Sequence, residues 1–188
     1  MNTKDMLFVI IVIFSVISSM LGLGYIVTLA IGLSLNFLFP IHIRYLGLFI
    51  IAIGVGFLSW TLHYRKPSDI MKSTYVTIMK AIKRINVKEH LGRTEPLTIL
   101  GPYKYVRNPL YFGVFLLLVG WWLLLDYIFL FFAALFLFLW FRFILIPFEE
   151  KELMAIFGDQ YEKYMKQVPT IIPFTKIRYM HFKKANKR

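Results

Sequence analysis

Two long stretches of this chain contain almost no charged residues, and this feature limits its possible folds more than any other. Residues 6–43 contain no Asp, Glu, Lys or Arg, and residues 108–148 contain only Asp126 and Arg142. An apolar helix needs about 20 residues to cross a bilayer, so each stretch has room for two spans. The chain is also 59% hydrophobic, which is more than a soluble domain of this size buries. The sequence predicts an all-α, polytopic membrane helix bundle.

Breaks in the apolar stretches predict about five transmembrane helices. Gly22 and Gly24 favour a break between the first two, and one long tilted helix over residues 6–39 is the open alternative. A secretory signal peptide is rejected, because the apolar region is too long and no polar mature domain follows it. The predicted spans are Met6–Gly22, Tyr25–Phe39, Tyr45–Tyr64, Pro109–Leu125 and Tyr127–Pro147. They divide the chain into N-terminal helices, 1–64, and a second region, 65–188, that holds the hairpin 109–147 and a tail.

The distribution of basic residues predicts the orientation of the spans. The net charge is +12, and the connection over residues 65–107 carries ten Lys and Arg against three acids. The tail from Glu149 onward also has a basic excess. The positive-inside rule places both segments in the cytoplasm, and five spans then put the N-terminus outside. The basic residues flank spans and suit anionic lipid headgroups. They form no separate basic domain, so nucleic acid is not an expected partner.

Several kinds of catalytic site lack their residues. The chain contains no cysteine, which excludes thiolate nucleophiles and cysteine-bound metals. The four histidines show no spacing typical of metal ligands, so no metal is expected. No P-loop, GxGxxG motif or Ser-His-Asp arrangement is present. Nucleotide hydrolysis, metal-assisted hydrolysis and dinucleotide redox chemistry are therefore not indicated.

A polar segment directly before the fourth predicted span is the first candidate for chemistry. Residues 101–111 read Gly-Pro-Tyr-Lys-Tyr-Val-Arg-Asn-Pro-Leu-Tyr. The Gly-Pro pair predicts a tight turn, and Pro109 suits the first position of a helix. We therefore expect an ordered loop at the membrane surface. It presents Tyr103, Tyr105, Arg107, Asn108 and Tyr111 near the lipid boundary.

A second candidate group lies at the end of the fifth span. Arg142 and Glu149 are seven residues apart, a spacing that places them on one helix face. An arginine inside a span is costly and is a functional candidate by default. Glu150 and Glu152 are expected to be solvated. The apolar, proline-limited residues 168–173 are expected to lie on the membrane surface.

These motifs together resemble those of the isoprenylcysteine carboxyl methyltransferase family, which belongs to a wider group with the phospholipid methyltransferases. The similarity covers roughly residues 85–174, and the first three spans match only in hydrophobicity. The motifs occur in the family's order: Leu97-Thr98, Gly101-Pro102-Tyr103, Arg107-Asn108-Pro109-Leu110-Tyr111, a helical hairpin, Glu149-Glu150, Phe157-Gly158, Tyr161, Tyr164 and Val168-Pro169.

The resemblance implies an S-adenosylmethionine-dependent methyltransferase with a cytoplasmic cofactor site and a lateral opening for a hydrophobic or lipidated acceptor. The family often has histidine where this chain has Glu95 and Asn108, and its substrate arginine falls on Leu145. Arg142, nearly one turn earlier, is the candidate replacement as substrate-binding residue. The implied cofactor contacts are Glu95, Pro96, Leu97, Thr98, Tyr103, Asn108, Pro109, Leu110, Tyr111 and Glu149.

The sequence leaves the methyl acceptor open. Carboxyl O-methylation of an isoprenylcysteine-type compound is the nearest analogue of the resembling family. N-methylation of a phospholipid amine and S-methylation of a small thiol are the alternatives within this class. A reductase with a related fold and a non-enzymatic membrane protein that has kept the fold are the alternatives outside it.

Overall fold

The computed structural model describes residues 2–83 and 97–173, and these residues form an all-helical bundle. Three helical runs are long and apolar enough to cross a membrane, and α4 is a shorter apolar helix. The helices are α1 (Thr3–Ala30), α2 (Ile41–Tyr64), α3 (Pro67–Lys83), α4 (Pro109–Leu125), α5 (Ile128–Trp140), α6 (Ile146–Phe157) and α7 (Asp159–Gln167). A π-helical turn, Phe141–Leu145, joins α5 to α6 without a break.

The apolar helices pack in the order α2, α4, α5, α1. The α4–α5 hairpin is central, α2 lies along α4, and α1 lies along α5. Large apolar side chains such as Leu7, Phe14 and Phe49 remain exposed on the outer helices. An apolar exterior is what a lipid-facing surface requires, so the fold is that of an integral membrane protein. The predicted division at residue 64 stays a prediction.

The first helix differs from the prediction. The expected break at Gly22 and Gly24 is wrong, because α1 continues through both residues to Ala30. Transmembrane helices tolerate glycine, and here Gly24 lets α1 approach the backbone of Phe129 on α5. The open alternative of one long helix is nearer to the structure, and the five-span count is not reproduced.

Because α1 is one helix, the N-terminus lies at a different end of the bundle from the one predicted. Near the start of α1, the ring of Phe8 contacts the ring of Tyr75 on α3, with centroids 6.1 Å apart. The N-terminus therefore lies at the same end of the bundle as α3. The prediction that it lies on the opposite side from the 65–107 connection is wrong, because α1 crosses once where two spans were expected.

The other end of the bundle is fixed by Asp126, in the turn between α4 and α5. Its side chain is buried, and its Oδ2 accepts hydrogen bonds from the Phe39 N–H at 3.0 Å and from Arg44 Nη2 at 3.2 Å. The turn therefore holds the connection between α1 and α2 against the tip of the hairpin.

Glycines spaced seven residues apart bring α2 and α4 into close contact. Gly47 and Gly54 on α2 face Gly120 and Gly113 on α4. Transmembrane helices associate through small residues because lipid supplies no hydrophobic drive for their association. This contact sets the position of the N-terminal end of α4, where the candidate site begins.

Gly47→Ala should lower the thermal stability of the protein in detergent. The added methyl group would lie 2.7 Å from the backbone oxygen of Gly120 and 2.7 Å from the backbone nitrogen of Leu124. Separating the helices to relieve this overlap costs about 1–3 kcal/mol. Gly56→Ala is the matched control, because a Cβ there meets nothing within 4 Å. Equal melting temperatures for the two variants would contradict this packing.

Candidate functional site

An open cleft lies at the end of the bundle that carries α3. The empty space within it, together with its open mouth, is about 770 Å³. The connection before α4, the start of α4, the α2–α3 junction and the α6–α7 pair all contribute to its walls. Every predicted cofactor residue that the structure describes lines this cleft, whereas Glu95 and Pro96 lie outside the described residues. These lining residues are Leu97, Thr98, Tyr103, Asn108, Pro109, Leu110, Tyr111 and Glu149.

The loop before α4 has the turn that its sequence predicts. Gly101 has a φ of +59° and packs on the ring of Tyr64, where a Cβ would overlap the ring carbons. A 3₁₀ turn, Gly101–Lys104, follows and buries Tyr103. Pro109 then begins α4 at the expected position. The loop is therefore an ordered element that presents Tyr103 and Asn108 to the cleft.

The segment after α7 holds this loop in place. The Arg107 backbone N–H donates to the Pro169 carbonyl oxygen at 2.9 Å, and the Asn108 backbone N–H donates to the Thr170 carbonyl oxygen at 3.1 Å. Asn108 Nδ2 donates to the same Thr170 carbonyl oxygen at 3.0 Å. Val168 and Ile171 are buried. The prediction that residues 168–173 lie on the membrane surface is wrong. Two of their carbonyls accept hydrogen bonds from the loop. Val168 packs against the tyrosines of α7, and Ile171 packs into the apolar core where α5 meets α6.

Glu149 contributes a carboxylate to the cleft. It lies in the first turn of α6, and its Oε1 accepts a hydrogen bond from the Tyr111 hydroxyl at 2.7 Å. The Tyr111 ring stacks on Phe141 with centroids 4.6 Å apart. The stacking holds the Tyr111 ring in place, and the hydrogen bond from its hydroxyl orients the Glu149 carboxylate. The cleft therefore presents an oriented anionic group.

Aromatic side chains from α6 and α7 line another part of the cleft. Phe157, Tyr161 and Tyr164 lie along it, and the Tyr164 hydroxyl donates to the Tyr103 carbonyl at 2.7 Å. Burial, with smaller effects of Tyr161 and Tyr103, raises the pKa of Tyr164 far above its usual value. Tyr164 therefore stays a neutral hydrogen-bond donor at any physiological pH.

Two ion pairs beside the cleft were missed by the sequence reasoning. Lys80 Nζ lies 2.8 Å from Glu152 Oε1, both side chains are 1% exposed, and Thr77 donates to Glu152 Oε2 at 3.2 Å. Arg107 Nη2 lies 3.0 Å from Glu150 Oε1. The prediction that Glu150 and Glu152 are solvated is therefore wrong. These carboxylates pair with bases more than 40 residues earlier in the chain, and no local pattern reveals that.

Arg142 does not lie where the helical spacing placed it. The π-helical turn, in which Ile146 N–H bonds to Phe141 O, directly precedes Pro147. This wider turn rotates the residues before it relative to those after it, so Arg142 no longer shares a face with Glu149. Arg142 is exposed, outside the described cleft lining, with its guanidinium 5.6 Å from the centroid of the Phe143 ring. The prediction of a buried arginine leading to Glu149 is wrong.

Comparison with known proteins identifies the family. A family model described as phospholipid methyltransferase matches residues 43–160, which is more than half of the chain. The protein therefore belongs to the phospholipid methyltransferase family. The matched residues run from α2 into α7 and include most of the cleft. The resemblance that the sequence motifs indicated is thereby confirmed.

Two curated relatives are methyltransferases with different acceptors in their names. The methanethiol S-methyltransferase of Crocosphaera subtropica is 42% identical over 74 residues, which are 38% of this chain and 27% of that protein. The protein-S-isoprenylcysteine O-methyltransferase of Schizosaccharomyces pombe is 36% identical over 124 residues, which are 64% of this chain and 48% of that protein. The chain thus spans half or less of the length of these relatives. No solved structure is significantly similar to it.

Proposed function

We propose that this protein is an integral membrane methyltransferase that uses S-adenosylmethionine to methylate a lipid-like acceptor. The observation that carries the proposal is the convergence of the predicted cofactor residues on one cleft around the Glu149–Tyr111 pair. Residues 97–111 and Glu149 are far apart in the chain, and they line the same cleft. This common position is a physical reason for the motifs to occur together.

The groups in the cleft fit the chemistry of this cofactor. S-adenosylmethionine carries an ammonium, a carboxylate, a sulfonium and an adenosine. Glu149 supplies an anion for the positive groups, and a charged hydrogen bond of this kind contributes about 1.5–3 kcal/mol. The side chains of Thr98 and Thr74 supply hydroxyls, and the ring of Phe157 supplies flat apolar surface. These groups therefore suit the positively charged groups and the adenosine of the cofactor.

The protein's task in such a reaction is positioning. When bound, S-adenosylmethionine supplies an electrophilic methyl group on a sulfonium sulfur. Glu149, held by Tyr111, would orient the positive end, and the loop held by residues 169–170 would form the adjoining wall. Alignment of the reacting atoms within about 3–3.5 Å supplies much of the acceleration.

The proposed acceptor is hydrophobic, and the proposed site faces the cytoplasm. The basic excess around the cleft end supports this orientation through the positive-inside rule. An isoprenoid or acyl chain would lie among the Phe, Leu and Ile side chains of the spans. Carboxyl O-methylation of an isoprenylcysteine-type compound is the leading reaction. Phospholipid amine N-methylation and small-thiol S-methylation are the other outcomes of the test below.

Transfer of label from methyl-labelled S-adenosylmethionine should reveal the reaction. Purified protein in lipid nanodiscs would be incubated with total lipid extract, N-acetyl-S-farnesylcysteine and methanethiol in separate reactions. We expect labelled product in one of the three, and Tyr111→Phe should reduce the rate at least fivefold. The absence of labelled product from all three, with a folded protein, would count against an enzymatic function of this class.

A further inference from the structure

We infer that Arg142 binds the phosphate group of a membrane phospholipid on the outer surface of the hairpin. The lipid belongs to the leaflet at the cleft end of the bundle. This ligand differs from the acceptor carboxylate that the sequence had suggested for Arg142, and the site lies outside the described cleft lining. The inference goes beyond the proposed function and holds whether or not the cleft binds S-adenosylmethionine.

Arg142 lies on a surface that faces lipid. Leu139 and Leu135 precede it by three and seven residues, a spacing that puts all three side chains on one helix face. All three residues are exposed. The next two residues, Phe143 and Ile144, are 66% and 60% exposed. Arg142 therefore places a positive charge at the end of an apolar, lipid-facing stripe.

The depth of Arg142 in the bilayer suits contact with lipid headgroups. Arg142 lies 14 residues after Ile128, where α5 begins. At 1.5 Å per residue this is about 21 Å along the axis, and the hydrocarbon core is about 30 Å thick. With Ile128 at the opposite boundary, the Arg142 backbone lies about 9 Å below the boundary at the cleft end. Long arginine side chains near the ends of transmembrane helices extend toward the headgroups, so the guanidinium of Arg142 extends toward the level of the phosphates.

A cation at this position needs an anion, and the part of the chain that the structure describes supplies none. Within residues 2–83 and 97–173, no carboxylate lies within ion-pair distance of Arg142. Its guanidinium lies 5.6 Å from the centroid of the Phe143 ring, which carries no formal charge. A guanidinium presents a rigid fork of N–H donors that suits a phosphate in two-point contact. Phosphate is the anionic group that a phospholipid bilayer supplies at this level.

The π-helical turn explains why this arginine faces the lipid and not the cleft. The turn includes Arg142 and rotates it away from the face of Glu149. A phosphate bound to Arg142 therefore lies beside the hairpin, and it holds the run from α5 to α6 at a fixed depth in the bilayer. Glu149 follows seven residues later, about 10 Å further along the axis. The bound lipid thereby keeps the cleft at the membrane surface.

The test measures lipid binding to the purified full chain in a neutral detergent. Phosphatidylglycerol and a diacylglycerol with the same acyl chains would be titrated separately, and bound lipid would be counted by native mass spectrometry. We expect saturable binding of phosphatidylglycerol and at least tenfold weaker binding of diacylglycerol, which lacks the phosphate. Arg142→Leu should weaken the tightest phosphatidylglycerol binding about tenfold, because a charge-assisted contact is lost. The protein should still fold, because the new leucine would lie on an exposed apolar surface.

Two further variants and one competitor separate a lipid site from general attraction to a basic surface. Arg142→Lys keeps the charge without the fork, and we expect affinity between those of the wild type and Arg142→Leu. Lys163→Leu removes an exposed charge on α7, outside the apolar helices, and should leave affinity within twofold. Inorganic phosphate should not compete, because it lacks the acyl chains. Equal losses for Arg142→Leu and Lys163→Leu, equal affinity for the two lipids, or competition by inorganic phosphate would overturn the inference.

Discussion

Replacing Lys80 with methionine should destabilise the protein more than any other single change considered. Lys80 and Glu152 form a pair whose side chains are each 1% exposed, with 2.8 Å between Nζ and Oε1. Removing one partner leaves the other as a buried, uncompensated charge, which costs about 3–5 kcal/mol. The loss should appear as a lower melting temperature and a lower denaturant midpoint in detergent. Because α3 lines the cleft, cofactor binding should weaken as well.

Two controls separate this effect from a general loss of charge. The double variant Lys80→Met with Glu152→Leu removes both charges, and apolar replacement of a buried pair is often neutral or stabilising. It should recover most of the lost stability. Lys166→Met breaks an exposed i,i+4 pair with Glu162 at 2.6 Å, and surface pairs contribute little. A melting temperature for Lys80→Met equal to that of Lys166→Met would contradict a stabilising role of the buried Lys80–Glu152 ion pair.

Glu149→Gln should weaken the binding of S-adenosylmethionine more than tenfold. The substitution keeps the shape of the side chain and the acceptor for the Tyr111 hydroxyl, but it removes the negative charge from the cleft wall. A charged hydrogen bond contributes about 1.5–3 kcal/mol, which corresponds to roughly ten- to 150-fold in affinity. Tyr111→Phe should have a smaller effect, because it keeps the stack on Phe141 and removes only the hydroxyl that orients Glu149.

Glu162→Gln is the matched control for Glu149→Gln. It is the same chemical change, made on α7 at an exposed residue paired with Lys166. The Lys166 ammonium lowers the pKa of the Glu162 carboxyl, so the control substitution removes a negative charge at neutral pH. We expect unchanged cofactor affinity for Glu162→Gln. Equal affinities of the two variants would remove Glu149 from the cofactor site.

The sequence predicted those parts of the fold whose boundaries are set by local chemistry. Pro109 begins α4 and Asp126 follows its end, so that span was predicted at its exact bounds. The glycines near residue 22 gave a false break, because a glycine within a transmembrane helix can also serve packing against a neighbouring helix. That distinction depends on the neighbouring helix, here α5 at Phe129, which sequence alone does not supply.

The cleft shows the same contrast between local and distant contacts. The loop residues from Leu97 to Tyr111 are nearly contiguous in the chain, and together with Glu149 they line one cleft as expected. Arg142 was misplaced because an extended stretch of α-helix was assumed through a π-helical turn. The Lys80–Glu152 pair joins α3 to α6 across 72 residues. Such a pair can be identified only when the relative positions of both helices are known.

Calorimetric titration of the wild-type protein in detergent with S-adenosylmethionine, and separately with NADPH, tests the central claim most directly. The account predicts saturable binding of S-adenosylmethionine, one molecule per chain, and no binding of NADPH. Binding of NADPH alone would indicate a reductase that shares the fold. The absence of binding of either compound to folded protein would indicate a membrane protein that has kept the cleft without the chemistry, and either result would contradict the account.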